Sequence, residues 1–513
     1  TEKLKLQKIE KELRDKLKTA LKKNGFQNDV AEKITGWDPF DQNTHSDWFD
    51  PEWMFGVKVS ESPKITENTG FDIVIGNPPY IQLQNPINDR NRLKYADIYK
   101  EQDFKTFEGK GDIYCLFYEK GINLLSYRGH LCYITSNKWM RAGYGKALRE
   151  FFIKYNPKIP IDLGPGIFES ATVDTNILII QKAANQNQLR AITLQKEDKN
   201  DITRSLTQKG VVLSNLSQDA WFIGSSAEQR LKEKIERIGK PLKDWDVNIY
   251  CGIKTGLNKA FIRTTEERNE ILDNCKDEAE RRRTKAIIKP ILRGRDIKRY
   301  YYEWADLWVI GTFPALHLNI ENYPALKKYF LDNFDVRQLE QSGKKYPELG
   351  FNARKKTGNK WFETQDQIAY YPEFEKEKVV WASVNSKYSF CILPAGLYFN
   401  NAVFMITNGP IKYFCALSNS KLIRYFLTFL FSSEDNYTYG SKENMENLPF
   451  PPITPENKPI VSQIEALVDK ILAAKKENPQ AKTSKYEKEI DNLVYQLYDL
   501  TEEEIKIVEG NIK

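Results

Sequence analysis

Apolar positions recur along this chain with two periods, and the switches between them mark out its elements. Across residues 2–24, Leu6, Ile9, Leu13, Leu17 and Leu21 return at three- and four-residue steps. That spacing predicts an amphipathic helix with a solvated lysine face, stopped at Asn24-Gly25. After the turn-like Asn68-Thr69-Gly70, the period shortens: Phe71, Ile73, Val74 and Ile75 form the continuous apolar run of a strand buried on both faces of a parallel sheet. A helix is predicted over 109–125, with Ile113, Leu116, Phe117, Ile122 and Leu125 on one side. A strand over 129–135 follows, then a helix over 145–155 with Leu148, Phe151 and Phe152 inward, and strands over 159–163 and 176–180. Strands alternating with helices predict an α/β fold with a largely parallel sheet.

Beyond residue 182 the pattern changes. Residues 183–245 are polar and predict a surface connection with an edge hairpin at 189–194. Residues 251–261 form a glycine-punctuated loop without the spacing of a nucleotide-binding phosphate loop. From Thr454-Pro455, a predicted cap and first-turn proline, helical stripes resume: Ile460, Ile464, Leu467, Val468 and Ile471, then Tyr486, Ile490, Leu493, Val494 and Leu497. Thr501 and Glu504 are spaced as a capping box. The expected domains are 1–188, 189–452 and 453–513.

Composition narrows the class. With 513 residues, 41% hydrophobic and 29% charged, the chain is that of a multidomain globular protein. It carries no membrane-length apolar run and no signal peptide, which leads to an expected cytoplasmic setting and no membrane partner. Its six cysteines are scattered and its three histidines lie far apart, so neither disulfides nor a metal centre is expected. The net charge of +7 permits a polyanionic partner. Residues 36–56, rich in tryptophan and acid, read as a rigid connector.

The candidate chemistry sits where the strand at 71–75 stops. Gly76-Asn77-Pro78-Pro79-Tyr80 breaks it abruptly, because two prolines cannot donate to a ladder and Pro78 biases Asn77 away from helix. The Asn77 side-chain oxygen and the Pro78 carbonyl can accept both N–H groups of an exocyclic aromatic amine. Fixed acceptors stabilise the positive charge that such an amine gains as it attacks a methyl group. Pro79 stiffens the turn, and Tyr80 can stack on a base that has left its duplex.

This tetrapeptide after a hydrophobic strand resembles the signature of the DNA adenine-N6 methyltransferases. The order GKGDIYCLFYEKGINLL, GHLCYITSNKWM, ALREFF, GIFESATVDTNILII is similar to the TaqI-type enzymes and the larger combined restriction–methylation (type IIG) enzymes. The resemblance covers about residues 70–182. It implies S-adenosylmethionine as cofactor, Phe117 and Asn77 beside that cofactor, and Phe168 facing Tyr80 across a flipped adenine. It also implies a glycine-rich cofactor loop ahead of the tetrapeptide. No strand–glycine-loop–helix unit precedes residue 71. The expectation is therefore a missing amino-terminal half, or a partner chain that carries the loop. A permuted arrangement with the loop at residues 159–166 is the alternative.

Residues 281–302 are the most basic stretch, with cations interleaved among Tyr300, Tyr301 and Tyr302. Arg293, Arg295, Lys298 and Arg299, with Lys355 and Lys356 on a flexible-looking loop, are the candidate contacts to double-stranded DNA. Asp296 is expected to organise an arginine. LRGRDIKRY, YPALKKYF, LYFNNAVFMIT, ALSNSKLIRYFL and ENLPFPP, in that order, resemble the specificity domain of the TaqI-type enzymes. The expected architecture is a partial Rossmann-like methyltransferase sheet, an α+β target-recognition domain and a helical carboxy-terminal hairpin. The expected function is site-specific adenine-N6 methylation within a restriction–modification system. The alternative is a DNA-binding specificity module that needs a partner chain for catalysis.

Overall fold

The strand that begins at Phe71 joins a six-stranded sheet. Its members are β1 (Phe71–Gly76), β2 (Leu125–Ser136), β3 (Asn156–Gly164), β4 (Thr175–Gln181), β5 (Leu189–Thr193) and β6 (Val211–Leu213), in the spatial order β1-β2-β4-β3-β5-β6. The computed structural model describes residues 2–36, 57, 70–87, 93–164, 167, 174–194, 197–214, 216–218, 220–385, 389–430, 438–440 and 442–510. The connector expected at 36–56 lies outside them beyond Gly36.

The sheet is mixed, where a largely parallel one was predicted. β1 is parallel to β2 and β3 to β5, but β2 is antiparallel to β4 and β5 to β6. Residues 165–174, which join β3 to β4, are fewer than the roughly dozen that a parallel crossover takes, so β4 enters the sheet reversed. Of the candidate permuted loop at 159–166, Ile159 to Gly164 lie in β3, and Pro165 and Gly166 lie outside the described residues.

β1 itself departs from expectation. Among the described residues its neighbour is β2 alone, so it lies at the sheet edge. Ile73 and Ile75, on one face of the pleat, are 67% and 77% exposed, not buried. The helices include α1 (Glu2–Lys23), α2 (Asn28–Gly36), α3 (Tyr114–Leu124) and α4 (Lys146–Phe152). The α1 stripe of Leu6, Ile9, Leu13 and Leu17 is exposed. In α3 the buried arc centres on Cys115, Tyr118 and Ile122. That phase turns Phe117 outward, away from Leu116 and Ile122, with which it was expected to share a side. Leu148, Phe151 and Phe152 of α4 face inward as predicted.

The chain divides into two compact units. The first comprises Thr1–Ser136, Tyr144–Leu163 and Thr175–Gln218; the second comprises Asn137–Gly143, Gly164–Asp174 and Asp219–Lys513. β5 and β6 thus carry the first sheet past residue 188.

The second unit holds two four-stranded sheets. The strands of these two sheets are β7 (Asn248–Cys251), β8 (Ile262–Thr264), β9 (Ile288–Leu292), β10 (Leu307–Ile310), β11 (Lys378–Ala382), β12 (Phe390–Leu393), β13 (Tyr398–Phe399) and β14 (Val403–Thr407). One sheet, ordered β12-β11-β14-β7, is antiparallel throughout. The other, ordered β13-β9-β10-β8, has one parallel pair, β9 with β13. Carboxy-terminal helices α5 (Lys458–Glu477), α6 (Ser484–Leu497) and α7 (Glu502–Gly510) share a core with this unit: Ile464, Val468, Ile490 and Val494 join Trp381, Phe414 and Phe426. Thr454-Pro455 precedes α5 instead of capping it. The Thr454 hydroxyl and Asn457 side chain exchange bonds with each other's N–H groups in a turn ahead of the helix. Among the described residues, no helix is long and apolar enough to cross a membrane.

Candidate active site

Gly76 ends β1, and Asn77 to Tyr80 continue without regular structure, as two adjacent prolines require. Pro78 is buried, Asn77 and Pro79 are exposed, and Tyr80 is half-buried. The chain just beyond is fixed by a short antiparallel pairing. Ile113 N–H donates to the Ile81 carbonyl at 2.9 Å, and Leu83 N–H to the Gly111 carbonyl at 2.9 Å. Between them, Ile81 N–H donates to Asp112 Oδ1 at 2.9 Å. Leu83, fully buried with Ile113 and Leu116, anchors the far side.

Tyr80 is held from two directions. Its hydroxyl donates to Asn77 Oδ1 at 3.1 Å and lies 3.4 Å from the Ile134 carbonyl at the end of β2. Its ring meets the edge of Tyr114 at 6.2 Å and 88°. Tyr114 is in turn fixed by a 2.7 Å hydroxyl contact with Tyr144. Burial, and behind it the Asp112 carboxylate, raise the Tyr80 phenol above its ordinary range, so near neutral pH it stays a neutral donor. The Asn77 carbonyl oxygen has two lone pairs. Tyr80 orients one, and the exposed amide leaves the other open to a ligand.

Phe117 presents a ring that is 40% exposed on α3, so it is not a helix-core residue. Phe168 lies outside the described residues. Asp112 and Tyr114 were quoted in the sequence pattern without a role. Their positioning contacts depend on residues about thirty positions apart, and the one local sign was an aspartate directly after Gly109-Lys110-Gly111.

The basic candidates sort into two groups. Arg293 forks onto Asp296, with Nη2 at 2.8 Å and Nε at 2.9 Å, as expected for that aspartate. Arg299 is paired with Glu487 at 2.5 Å, and Lys298 donates to the Arg295 carbonyl at 2.7 Å. Arg295, Lys355 and Lys356 are exposed and make no ion pair among the described residues. The loop that carries Lys355 and Lys356 is held, not free: Gln341, Arg354 and Asn359 all donate to its carbonyls.

Comparison with known proteins places two regions. Residues 2–166 match the model of the Eco57I restriction-modification methylase, and residues 289–450 that of the TaqI-like C-terminal specificity domain. Over 490 residues the chain is 24% identical to the type II methyltransferase M.BstVI of Geobacillus stearothermophilus, covering 87% of this chain and 77% of that one. Over 213 residues it is 30% identical to the type II restriction enzyme and methyltransferase RM.Eco57I of Escherichia coli, 40% of this chain but 20% of that one. In fold it is similar to the type IIL restriction-modification enzyme MmeI, solved in complex with DNA, with a TM-score of 0.51, 12% identity, and coverage of 85% of this chain and 56% of that one.

Proposed function

We propose that this chain, which joins an Eco57I-type restriction-modification methylase region to a TaqI-like C-terminal specificity domain, methylates the N6 amine of adenine in duplex DNA within a restriction–modification system. The observation that carries the reading is the Asn77–Tyr80 loop, fixed by Asp112 and Tyr114 while leaving Asn77 exposed at a strand end. The target adenine leaves the duplex and stacks against Tyr80; Phe168 as the opposing ring is what the family resemblance implies. Its amine donates one N–H to the open lone pair of Asn77 Oδ1 and the other to the Pro78 carbonyl. Both acceptors are already oriented, so the charge that develops on nitrogen is stabilised without reorganisation. Pro79 keeps the turn from relaxing. The proton shed afterwards passes to water at the exposed face.

S-adenosylmethionine would supply the electrophilic methyl group. Two residues fit parts of that cofactor: the exposed Phe117 ring offers a stacking surface for its adenine, and Asn77, at the strand end, would face its methyl group. Ahead of β1, no strand–glycine-loop–helix unit is found among the described residues for the rest of it. The same observation favours a second reading, a DNA-binding specificity module that gains catalysis only with a partner chain. On either reading, Arg295, Lys355 and Lys356 are the exposed candidates for phosphate contact, while Arg293, Lys298 and Arg299 serve DNA only through the surface they brace.

Methyl incorporation into duplex DNA tests the pocket. Asn77→Ala is expected to lower transfer by at least roughly 100-fold, the scale of losing one oriented charge-stabilising group, with duplex affinity nearly unchanged. Equal loss of binding would make Asn77 a folding residue. Titration of S-adenosylmethionine into the chain, with and without duplex, separates the two readings. Duplex binding without cofactor binding selects the module, and binding of both selects a self-sufficient transferase.

A further inference from the structure

The segment 251–261 lies outside both family-matched regions, and the methylation chemistry makes no use of it. It is tightly built. A Cβ at Gly252 would stand 2.1 Å from the Asn400 carbonyl oxygen, so the backbones there touch. The Lys254 carbonyl accepts from Gln365 N–H at 3.1 Å and Asp366 N–H at 3.4 Å. Thr255, 1% exposed, donates its hydroxyl to Asn258 Oδ1 at 2.7 Å and accepts from Leu257 N–H at 3.2 Å. Gly256 takes φ of +79°, which a side chain rarely adopts. The turn it forms projects Lys254 and Lys259 outward, both exposed and without an ion pair among the described residues.

Beneath this turn lies Arg354, 4% exposed. Its guanidinium reaches only carbonyl oxygens: Leu339 at 2.8 Å, Thr255 at 3.0 Å, Glu363 at 2.7 Å and Trp361 at 2.6 Å. The Phe261 ring lies 5.0 Å away on its face. Burial pulls the guanidinium down to about 10, with the Glu363 carboxylate opposing, so it remains charged near neutral pH. One side chain thus stitches the 254–259 turn to the 354–364 loop. Gln341 reinforces that loop: its Nε2 donates to the Glu363 carbonyl, and its Oε1 accepts from the Thr357 hydroxyl. Directly after Arg354 stand Lys355 and Lys356, exposed and without an ion pair among the described residues. Of the nearby acids, Glu363 is buried and accepts from Lys360 N–H, and Asp366 is half-buried.

We propose that Lys254, Lys259, Lys355 and Lys356 form one contact surface for the phosphate backbone of duplex DNA, with Arg354 as the positioning residue that holds its two loops in register. The occupant is the duplex backbone because the surface offers four ammonium point charges on rigid loops. Such charges neutralise phosphates and fix register rather than read bases. This rests on the DNA-binding reading above and adds to it a segment and a residue that the family matches leave unassigned.

The test is fluorescence anisotropy of a labelled duplex against the full 513-residue chain over a potassium chloride series. Each phosphate that a variant no longer neutralises reduces the slope of log affinity against log salt by about 0.9. Lys254→Gln with Lys259→Gln should lower it by up to about 1.8, and Lys355→Gln with Lys356→Gln by as much again. Arg354→Lys keeps the charge but loses the fork. It should weaken binding several-fold, and removing Lys355 and Lys356 in that background should then change the slope less than in the wild type. Gly256→Ala opens the same seam from the other loop and gives the same readout should Arg354→Lys not fold. Wild-type duplex binding with unchanged slope in the fourfold glutamine variant overturns this surface but leaves the DNA reading intact. A folded Arg354→Lys variant with wild-type slope and additive effects of the lysine substitutions overturns the positioning role. A wild-type chain that binds no duplex overturns both.

Discussion

β1 and β11 read alike in sequence and end up opposite in structure. Each is a short run with adjoining β-branched residues, Phe71-Asp72-Ile73-Val74-Ile75 in one and Lys378-Val379-Val380-Trp381-Ala382 in the other. β11 lies between β12 and β14, and all five of its residues are buried. β1 has one described neighbour and exposes two isoleucines. An apolar run shows that a strand can be buried; its neighbours, far away in sequence, decide whether it is. β11 even encloses a lysine. The Lys378 ammonium donates to the carbonyls of Phe374, Lys376 and Pro394 at 2.8, 2.9 and 3.0 Å, which meets all three of its donors.

The largest effect should fall on the enclosed strand. Trp381 is 2% exposed, stacks on Phe404 at 5.6 Å and donates Nε1–H to the Gly440 carbonyl at 2.8 Å. Trp381→Ala leaves a large cavity and an unmet carbonyl, and should cost about 3–5 kcal/mol. Urea unfolding followed by circular dichroism reads that cost. A change below about 1 kcal/mol would mean that β11 is not the centre of its core.

Lys378 sharpens the contrast by charge. Burial lowers its ammonium from the ordinary value to about 8, with Glu375 and Glu377 opposing. Between about 8 and 10.4 the unfolded lysine holds a proton that the folded one has released, so stability rises with pH across that window. The gain is of order 3 kcal/mol at most. Lys378→Met should abolish that rise relative to the wild type, measured as the difference between their urea midpoints at pH 7.5 and pH 10. Parallel pH profiles for the two proteins would show that the lysine keeps its proton when buried.

At the end of β1 a substitution should cost activity before stability. Asp112→Ala removes the acceptor for Ile81 N–H and loosens the chain just past Tyr80. On the proposed chemistry, displacing the acceptors by an ångström costs about 10- to 100-fold in methyl transfer, with duplex affinity within about twofold. Asp112→Asn keeps an acceptor oxygen and should recover most of the rate. Failure of that rescue would move the role of Asp112 from its geometry to its charge.

What was legible in the sequence follows the same division. Local signals were reliable. The strands at 129–135, 159–163 and 176–180 lie within β2, β3 and β4, and the Thr501–Glu504 capping box is formed, with bonds of 2.8 and 3.3 Å. Asp296 holds Arg293, three residues away. The Asn77–Tyr80 loop was located because its prolines act within their own tetrapeptide. Distant partners were not legible. Arg299 read as a DNA contact and is paired with Glu487, 188 positions on. Arg354 drew no attention in the sequence and proves to be buried and bonded to backbone carbonyls, because backbone oxygens leave no mark in a sequence. Phe117 turned outward because the burial phase of α3 is set by what lies under it, not by its own spacing.

The smallest effect should come from β1 itself. Ile75 is 77% exposed, and its side chain gains little from the sheet it belongs to. Ile75→Ala should therefore change the stability of this chain by less than about 0.5 kcal/mol. The same truncation at Val380 of β11, which is fully buried, removes two methyl groups from a packed core and should cost about 2 kcal/mol. Urea midpoints of the two variants set side by side measure what the neighbours contribute, since the local sequences are so alike. Equal losses would mean that the exposed face of β1 is covered in solution, and that its apolar run was, after all, a record of burial.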